Sequence, residues 1–178
     1  MPYATDPLAP HHDRAAFSCG VESLDRYLRQ QARQDERRNV ARVFVMADPD
    51  TDSVAGYYTL SMTSIELIGL PDDLTRRLPR YPVVPAALIG RLAVDQRFHG
   101  RGLGAILLLD ACHRSLEASA EAAAVAVVID AIDDTARRFY KHHDFRPLTG
   151  GGQRLFLPMA TIAKLFGGES DTTPNPLP

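Results

Sequence analysis

The sequence predicts an α/β domain in which one mixed sheet carries helices on both faces. Three observations support this. Apolar, β-branched runs of strand length alternate with segments whose apolar residues recur every three to four positions. The 178 residues are 45% apolar, enough to bury the core of one compact, enzyme-sized domain. The apolar run ending at Val94 breaks into a basic, glycine-punctuated turn that opens an amphipathic helix.

Phe17–Leu28 reads as a turn and then a helix, with Val21, Leu24 and Leu28 at helical spacing and Tyr27 beside the stripe. The helix continues in polar form from Gln30 to Arg38, and Ala41–Ala47 alternates into a first strand. Asp48–Asp52 is a turn by composition. Val54–Ile65, rich in tyrosine, threonine and β-branched residues, is a long second strand that bends into a third. Leu67–Pro85 is a proline-bounded insertion with a short helix over Asp72–Leu78. Ala87–Val94 is the fourth strand, Gly102–Ala118 a helix, and Ala123–Ile132 a buried fifth strand. Thr135–His142 forms the next helix, Arg154–Leu157 a last strand, and Ala160–Phe166 a short closing helix. The domain is expected to span 1–167, with 168–178 a disordered tail.

A net charge of −2 excludes a uniformly basic nucleic-acid binder but not a local basic patch. No signal peptide or membrane span is visible, so the protein is expected to be cytoplasmic. Cys19 and Cys112 are expected to be reduced and buried, and no metal-ligand cluster is expected.

The turn itself, Asp95-Gln96-Arg97-Phe98-His99-Gly100-Arg101-Gly102-Leu103-Gly104-Ala105, has the construction of a phosphate cradle. Glycines let backbone N–H groups converge, and the helix that follows presents unsatisfied donors and the positive end of its dipole. Arg97, His99 and Arg101 reinforce it. The spacing lacks the GK[ST] ending of a nucleoside-triphosphate loop and is not the G-x-G-x-x-G of a dinucleotide fold.

What it matches is R-x-x-G-x-G over Arg97–Gly102, which resembles the acetyl-CoA pyrophosphate loop of the GNAT acyltransferases. Downstream, Asp133–Phe145 resembles that family's second signature, N-x-x-A-x-x-F-Y followed by a turn and Phe, with Asp133 in place of the usual asparagine. The resemblance covers roughly residues 14 to 166. It implies a fold whose fourth and fifth strands splay apart, with Leu92, Ala93 and Val94 offering backbone groups to the pantetheine arm. It further implies that Gly100, Arg101, Gly102, Leu103, Gly104 and Ala105 hold the pyrophosphate, and that Asp133, Ala136 and Phe139 line the far side of acetyl-CoA. Tyr140 is the expected catalytic residue, because a phenol at the sulfur can protonate the departing CoA thiolate. Backbone N–H groups of the fourth strand can stabilise charge developing on the carbonyl oxygen. No strong general base stands out among Glu66, Asp95, His99, His142 and His143. An α-amine, with a pKa near 7.7 that esterification lowers further, needs such a base less than a lysine amine near 10.4.

Phe17-x-Cys19-Gly20 leading to Leu24-Asp25-x-Tyr27-Leu28, Gly56–Ser61 and Ile89–Asp95 is similar to the GNAT toxins of toxin–antitoxin pairs. That similarity implies acetylation of the α-amino group of aminoacyl-tRNA, which blocks peptide-bond formation. It also implies a homodimer and a ribbon-helix-helix antitoxin, through which alone the toxin meets operator DNA. For the RNA, Arg29, Arg33 and Arg37 fall at four-residue spacing as a ridge on one helix, and Arg76, Arg77, Arg80 and Arg91 make a second group. The alternatives are an acetyltransferase for a small-molecule or protein amine, which predicts an acidic acceptor cleft, and a CoA-binding module without turnover.

Overall fold

The computed structural model describes residues 3–167. Seven strands form one sheet in the order β1-β2-β3-β4-β5-β7-β6. They are β1 (Thr5–Pro7), β2 (Arg42–Ala47), β3 (Val54–Glu66), β4 (Val83–Val94), β5 (Ala126–Asp130), β6 (Arg146–Pro147) and β7 (Arg154–Pro158). All neighbours are antiparallel except β4 and β5, so the mixed sheet and the helices on both faces follow the sequence reading.

One face is covered by α4 (Leu103–Ser119), α5 (Asp134–His142) and α6 (Met159–Leu165). Leu103, Leu107, Leu108, Ala111, Tyr140, Phe145 and Ile162 pack there against Met46, Tyr58, Ile89, Val127 and Ile129. The other face is divided. Over β2 and β3 lie α1 (Glu22–Arg26), a π-helical turn (Tyr27–Gln31) and α2 (Ala32–Arg37), which bury Leu24, Tyr27, Leu28 and Ala32 against Val43, Val45 and Tyr57. Over the far end of the sheet lies the segment between β3 and β4, where Leu70, Leu74 and Leu78 meet Ile65, Val84, Ala86 and Phe156. Fully burying each such side chain contributes about 1.5–3 kcal/mol.

Several boundaries differ from the expectation, each for a local reason. The polar helix after Tyr27 is not one α-helix. Ala32 N–H bonds to the Tyr27 carbonyl five residues back, and the extra residue keeps both Tyr27 and Leu28 buried. Strand β4 begins at Val83, so the insertion is shorter, and its helix α3 (Asp72–Thr75) is a single turn. Strand β3 is one long strand rather than a second bent into a third, and β5 is shorter than Ala123–Ile132. Strands β1 and β6 carry no strand pattern in the sequence; each is at most three residues, contains a proline, and occupies a sheet edge, where a missing N–H costs no ladder bond. The expected tail lies outside the described residues.

Two irregularities shape the site. The β3–β4 register passes from Thr59↔Arg91 to Leu60↔Ile89, leaving Gly90 unpaired in a bulge. A Cβ at Gly90 would stand 3.0 Å from Thr59 Oγ1, so a side chain there would crowd the neighbouring strand. The bulge directs Arg91 and Ala93 to the α1 face while Leu92 and Val94 face α4. Second, β4 and β5 pair only from Ala87↔Val127 to Ile89↔Ile129, although β4 runs on to Val94. The strands fork there, and the edge groups of Gly90–Val94 toward β5 have no strand partner among the described residues.

Candidate active site

The turn after β4 is held by a buried carboxylate. Asp95, 1% exposed, accepts from Ser18 N (3.0 Å) and Arg97 N (2.8 Å), and bidentately from Arg97 Nε (2.9 Å) and Nη2 (3.0 Å). Burial opposes its ionisation, but these hydrogen bonds outweigh it and hold Asp95 below the ordinary carboxylate range. His99 donates from Nε2 to the Val94 carbonyl (2.8 Å), folding the turn back on its strand. Gly100 and Gly102 then adopt φ of +76° and +74°. Non-glycine residues pay about 1–2 kcal/mol in that region. A Cβ at either glycine would meet nothing within 4 Å, so the space over the loop is open.

Gly102 is the N-cap of α4 and offers no side chain to it. The first-turn N–H groups of Leu103, Gly104 and Ala105 therefore lack intrahelical partners and remain for an external anion. A 17-residue helix supplies its full dipole at this end. The open space over two left-handed glycines and an uncapped helix start fit a pyrophosphate, and the unpaired edge of Gly90–Val94 fits the amide groups of a pantetheine arm.

Across the fork stands α5. Asp133 is its N-cap and accepts from Ala136 N (2.7 Å), so the aspartate in place of the family's asparagine serves the helix. Phe139 packs beside Gly104 and edge-on to Tyr140, with ring centroids 5.2 Å apart. Tyr140 is 5% exposed, and its hydroxyl makes no hydrogen bond among the described residues. It lines a cavity of about 40 Å³ at the fork, together with Gly90, Leu92, Ile129 and Ala136. Burial, reinforced by the Asp133 charge, pushes the phenol pKa well above its ordinary 10. Tyr140 therefore keeps its proton at neutral pH.

Arg91 and Asp130 line the same cavity. The Arg91 guanidinium lies 3.6 Å over the Tyr27 ring and has no acidic partner among the described residues. Tyr27 is fixed in turn by its hydroxyl bond to Asp35 (2.9 Å). Asp130 is held by Arg154 from the adjacent strand through two bonds of 2.8 and 2.9 Å.

Among the expected cradle residues, the structure brings together Leu92, Ala93, Val94, Gly100, Gly102, Leu103, Gly104 and Ala105 with Ala136, Phe139 and Tyr140. Arg97 departs from expectation, because its fork is committed to Asp95 and braces the turn instead of lying free over it. Arg101 bonds Tyr3 Oη (3.1 Å) beside Phe98. Arg91 lines the cavity at the fork, apart from the depressions lined by Arg77 and Arg80. Arg76 is exposed, while Arg77 and Arg80 line depressions on the β3–β4 segment. The ridge of Arg29, Arg33 and Arg37 is interrupted by the π-helical turn. Arg29 reaches toward Glu22 (3.9 Å) and lines a polar hollow with His11, His12 and Arg14, Arg33 lies close enough to Arg14 to lower its pKa alongside burial, and Arg37 is exposed in the last turn of α2. The sequence reading missed Arg14, which donates to the Leu28 carbonyl in the π-helical turn (3.0 Å). Only an indication of that irregular turn would have exposed it. Both cysteines are free; Cys112 is buried and Cys19 only partly so.

A strand fork, an open glycine turn before an uncapped helix and a buried neutral phenol are the features that transfer of an acyl group from a phosphate-bearing donor calls for. The chain belongs to the acetyltransferase (GNAT) family, whose sequence profile matches residues 10–145. It is 35% identical over 170 residues to a probable toxin TacT of Sinorhizobium fredii (strain NBRC 101917 / NGR234), covering 91% of this chain and 94% of that one. It is 36% identical over 155 residues to a tRNA-acetylating toxin of Mycobacterium tuberculosis (strain ATCC 25618 / H37Rv), covering 87% and 91%. Among solved structures, AtaT complexed with acetyl-methionyl-tRNAfMet superposes with a TM-score of 0.85 at 29% identity, over 92% of this chain and 99% of that one. AtaTR bound with acetyl-CoA gives 0.81 at 29%, over 93% and 98%. A mutant of KacT gives 0.88 at 26%, over 93% and 100%.

Proposed function

We propose that this acetyltransferase transfers the acetyl group of acetyl-CoA to the α-amino group of aminoacyl-tRNA, and that it is the toxin of a toxin–antitoxin pair. The observation that carries the chemistry is the neutral Tyr140 at the fork, opposite an uncapped helix start. The acceptor class rests on the relatives, of which one is a tRNA-acetylating toxin and another is a structure holding acetyl-methionyl-tRNAfMet.

Acetyl-CoA supplies an activated acetyl thioester. Gly100, Arg101, Gly102, Leu103, Gly104 and Ala105 would hold its pyrophosphate, and Leu92, Ala93 and Val94 its pantetheine arm, with Ala136 and Phe139 on the far side. Tyr140 keeps a proton at Oη for the thiolate that departs. Free edge N–H groups of β4 are the donors for the carbonyl oxygen. No side chain in the cavity is a strong base, since Asp130 is ion-paired, and an α-amine with a pKa near 7.7 is largely neutral without one. Arg91 adds a positive charge that disfavours the ammonium form of an amine brought beside it.

On this reading, residues 1–167 work as one acetyltransferase domain in the cytoplasm, as a homodimer, countered by a ribbon-helix-helix antitoxin that carries the complex to operator DNA. Structures of AtaT with AtaR and of a KacTA–DNA complex support the partner class. No helix among the described residues is long and apolar enough to cross a membrane. Incubation with acetyl-CoA and charged tRNA should yield N-acetylaminoacyl-tRNA, detected after ester hydrolysis by mass spectrometry. Acetylation of polyamines or lysine peptides with charged tRNA untouched would overturn the proposal.

A further inference from the structure

The chemistry above leaves one buried carboxylate unused, in the run from Phe17-x-Cys19-Gly20 to Leu24-Asp25-x-Tyr27-Leu28. Asp25 on α1 is 4% exposed and makes no salt bridge among the described residues. Its Oδ1 accepts from the Cys19 amide (2.8 Å), while the amide just before it, that of Ser18, donates to Asp95 (3.0 Å). Two neighbouring N–H groups thus end on carboxylates from two different elements. The Ser18 carbonyl accepts in turn from Gln96 N (2.9 Å). Gly20, at φ +93°, keeps the approach close, since a Cβ there would stand 2.9 Å from Gln96 Nε2. Ser18–Gly20 is therefore a bracket between the turn after β4 and the start of α1.

The α1 end of the bracket carries one wall of the fork. Leu24 lines the cavity there, and its carbonyl accepts from the Tyr57 hydroxyl (2.7 Å). The Tyr57 ring meets Phe17 edge-on (5.4 Å) and stacks on Tyr27 (6.2 Å), over which Arg91 lies. We propose that Asp25 is a positioning residue for acetyl transfer, fixing Leu24, Tyr27 and so Arg91 at a set distance from the glycine turn. This rests on the reading above, in which the turn holds acetyl-CoA and Arg91 stands beside the amine. Asp25 does not line the cavity, so it acts only through the residues it holds. A buried carboxylate gives a backbone N–H a short, charge-assisted bond, and reacting groups misplaced by about 1 Å lose about 10²-fold in rate.

A double-mutant cycle of Asp25→Ala and Arg91→Ala in the full chain tests this, with Asp25→Asn as the conservative variant. Asp25→Ala should bind acetyl-CoA as the wild type does by calorimetry, because Arg97 and Asp95 still hold the turn. Its kcat on charged tRNA should fall about tenfold or more. Asp25→Asn, whose Oδ1 still accepts from Cys19 N, should recover most of that loss. In the Arg91→Ala background, Asp25→Ala should cost no more than about twofold, since the group it positions is gone. Rates are taken per acetyl-CoA-binding site, so a misfolded fraction cannot imitate the loss. Losses that multiply across the two sites, or an Asp25→Asn as slow as Asp25→Ala, overturn the proposal. The same cycle on a lysine peptide keeps the two readings apart, because charged tRNA untouched by the wild type would reject that acceptor alone while the peptide rates still decide the role of Asp25.

Discussion

The two sides of the fork are built in different ways. On the proposed donor side, a run of a dozen residues from Val94 to Ala105 offers an anion site almost entirely from backbone, with two glycines in the left-handed region and the start of α4. On the proposed acceptor side, Tyr27, Arg91, Asp130 and Tyr140 arrive from four separate elements and meet only in the folded chain. A backbone site needs particular residues at adjacent positions, so it leaves a contiguous motif. A side-chain site needs only that distant positions converge, and it leaves isolated residues that resemble ordinary surface or core.

Gly102→Glu tests the donor side and has the largest expected effect. No atom stands within 4 Å of a Cβ at this position, so the fold should lose only about the 1–2 kcal/mol of left-handed backbone strain. Acetyl-CoA, in contrast, would meet a carboxylate in the pyrophosphate space, and like-charge contact of that kind costs several kcal/mol, on the order of 10³-fold in affinity. Calorimetry should find no binding to a protein of near-normal melting temperature. Unchanged affinity would mean that the phosphates lie elsewhere.

The same contrast explains what was legible in the sequence. The sheet, its helices and the glycine turn were readable because period and motif are local, and the place of Tyr140 at the fork because it sits inside the second signature. The role of Arg97 was not, since the turn presents it as a free cation and only the buried Asp95 claims it. Arg91 was grouped with Arg76, Arg77 and Arg80 by composition; a bulge at Gly90, invisible in a sequence of apolar residues, sets it over Tyr27 instead. The π-helical turn was hidden for a similar reason, because i→i+5 bonding is selected by the burial of both Tyr27 and Leu28 and not by propensity.

Tyr140→Phe probes the point where the two sides meet. The hydroxyl makes no hydrogen bond among the described residues, so its removal should leave stability and acetyl-CoA affinity nearly unchanged, while turnover falls by about 10²-fold or more. The direction of the phenol's pKa adds a pH signature. The proton is held above pH 10, so in the wild type kcat/KM should rise through the pKa of the acceptor amine, near 7.7 or below, and show no fall from Tyr140 deprotonation up to pH 10. Wild-type turnover in the phenylalanine variant, measured by thiol release, would assign thiolate protonation to water or another group.

The smallest expected effect concerns the acceptor side alone, and it asks whether the arginines of the β3–β4 segment serve RNA. Arg76 is exposed, and Arg77 and Arg80 line surface depressions remote from the glycine turn. Reversing all three to glutamate should therefore spare both acetyl-CoA affinity and slow transfer to a free amino-acid ester. Acetylation of charged tRNA should drop by about tenfold or more at low salt, because phosphate contacts supply affinity for the polynucleotide and nothing for a minimal acceptor. Raising the salt concentration should mimic the variant in the wild type, and the variant's own salt dependence should be shallower by roughly 0.7–0.9 in log–log slope for each phosphate contact removed. Equal losses on both acceptors would mean that these arginines support the fold, and indifference of both would move the RNA to Arg91 and the arginines of the α1–α2 face.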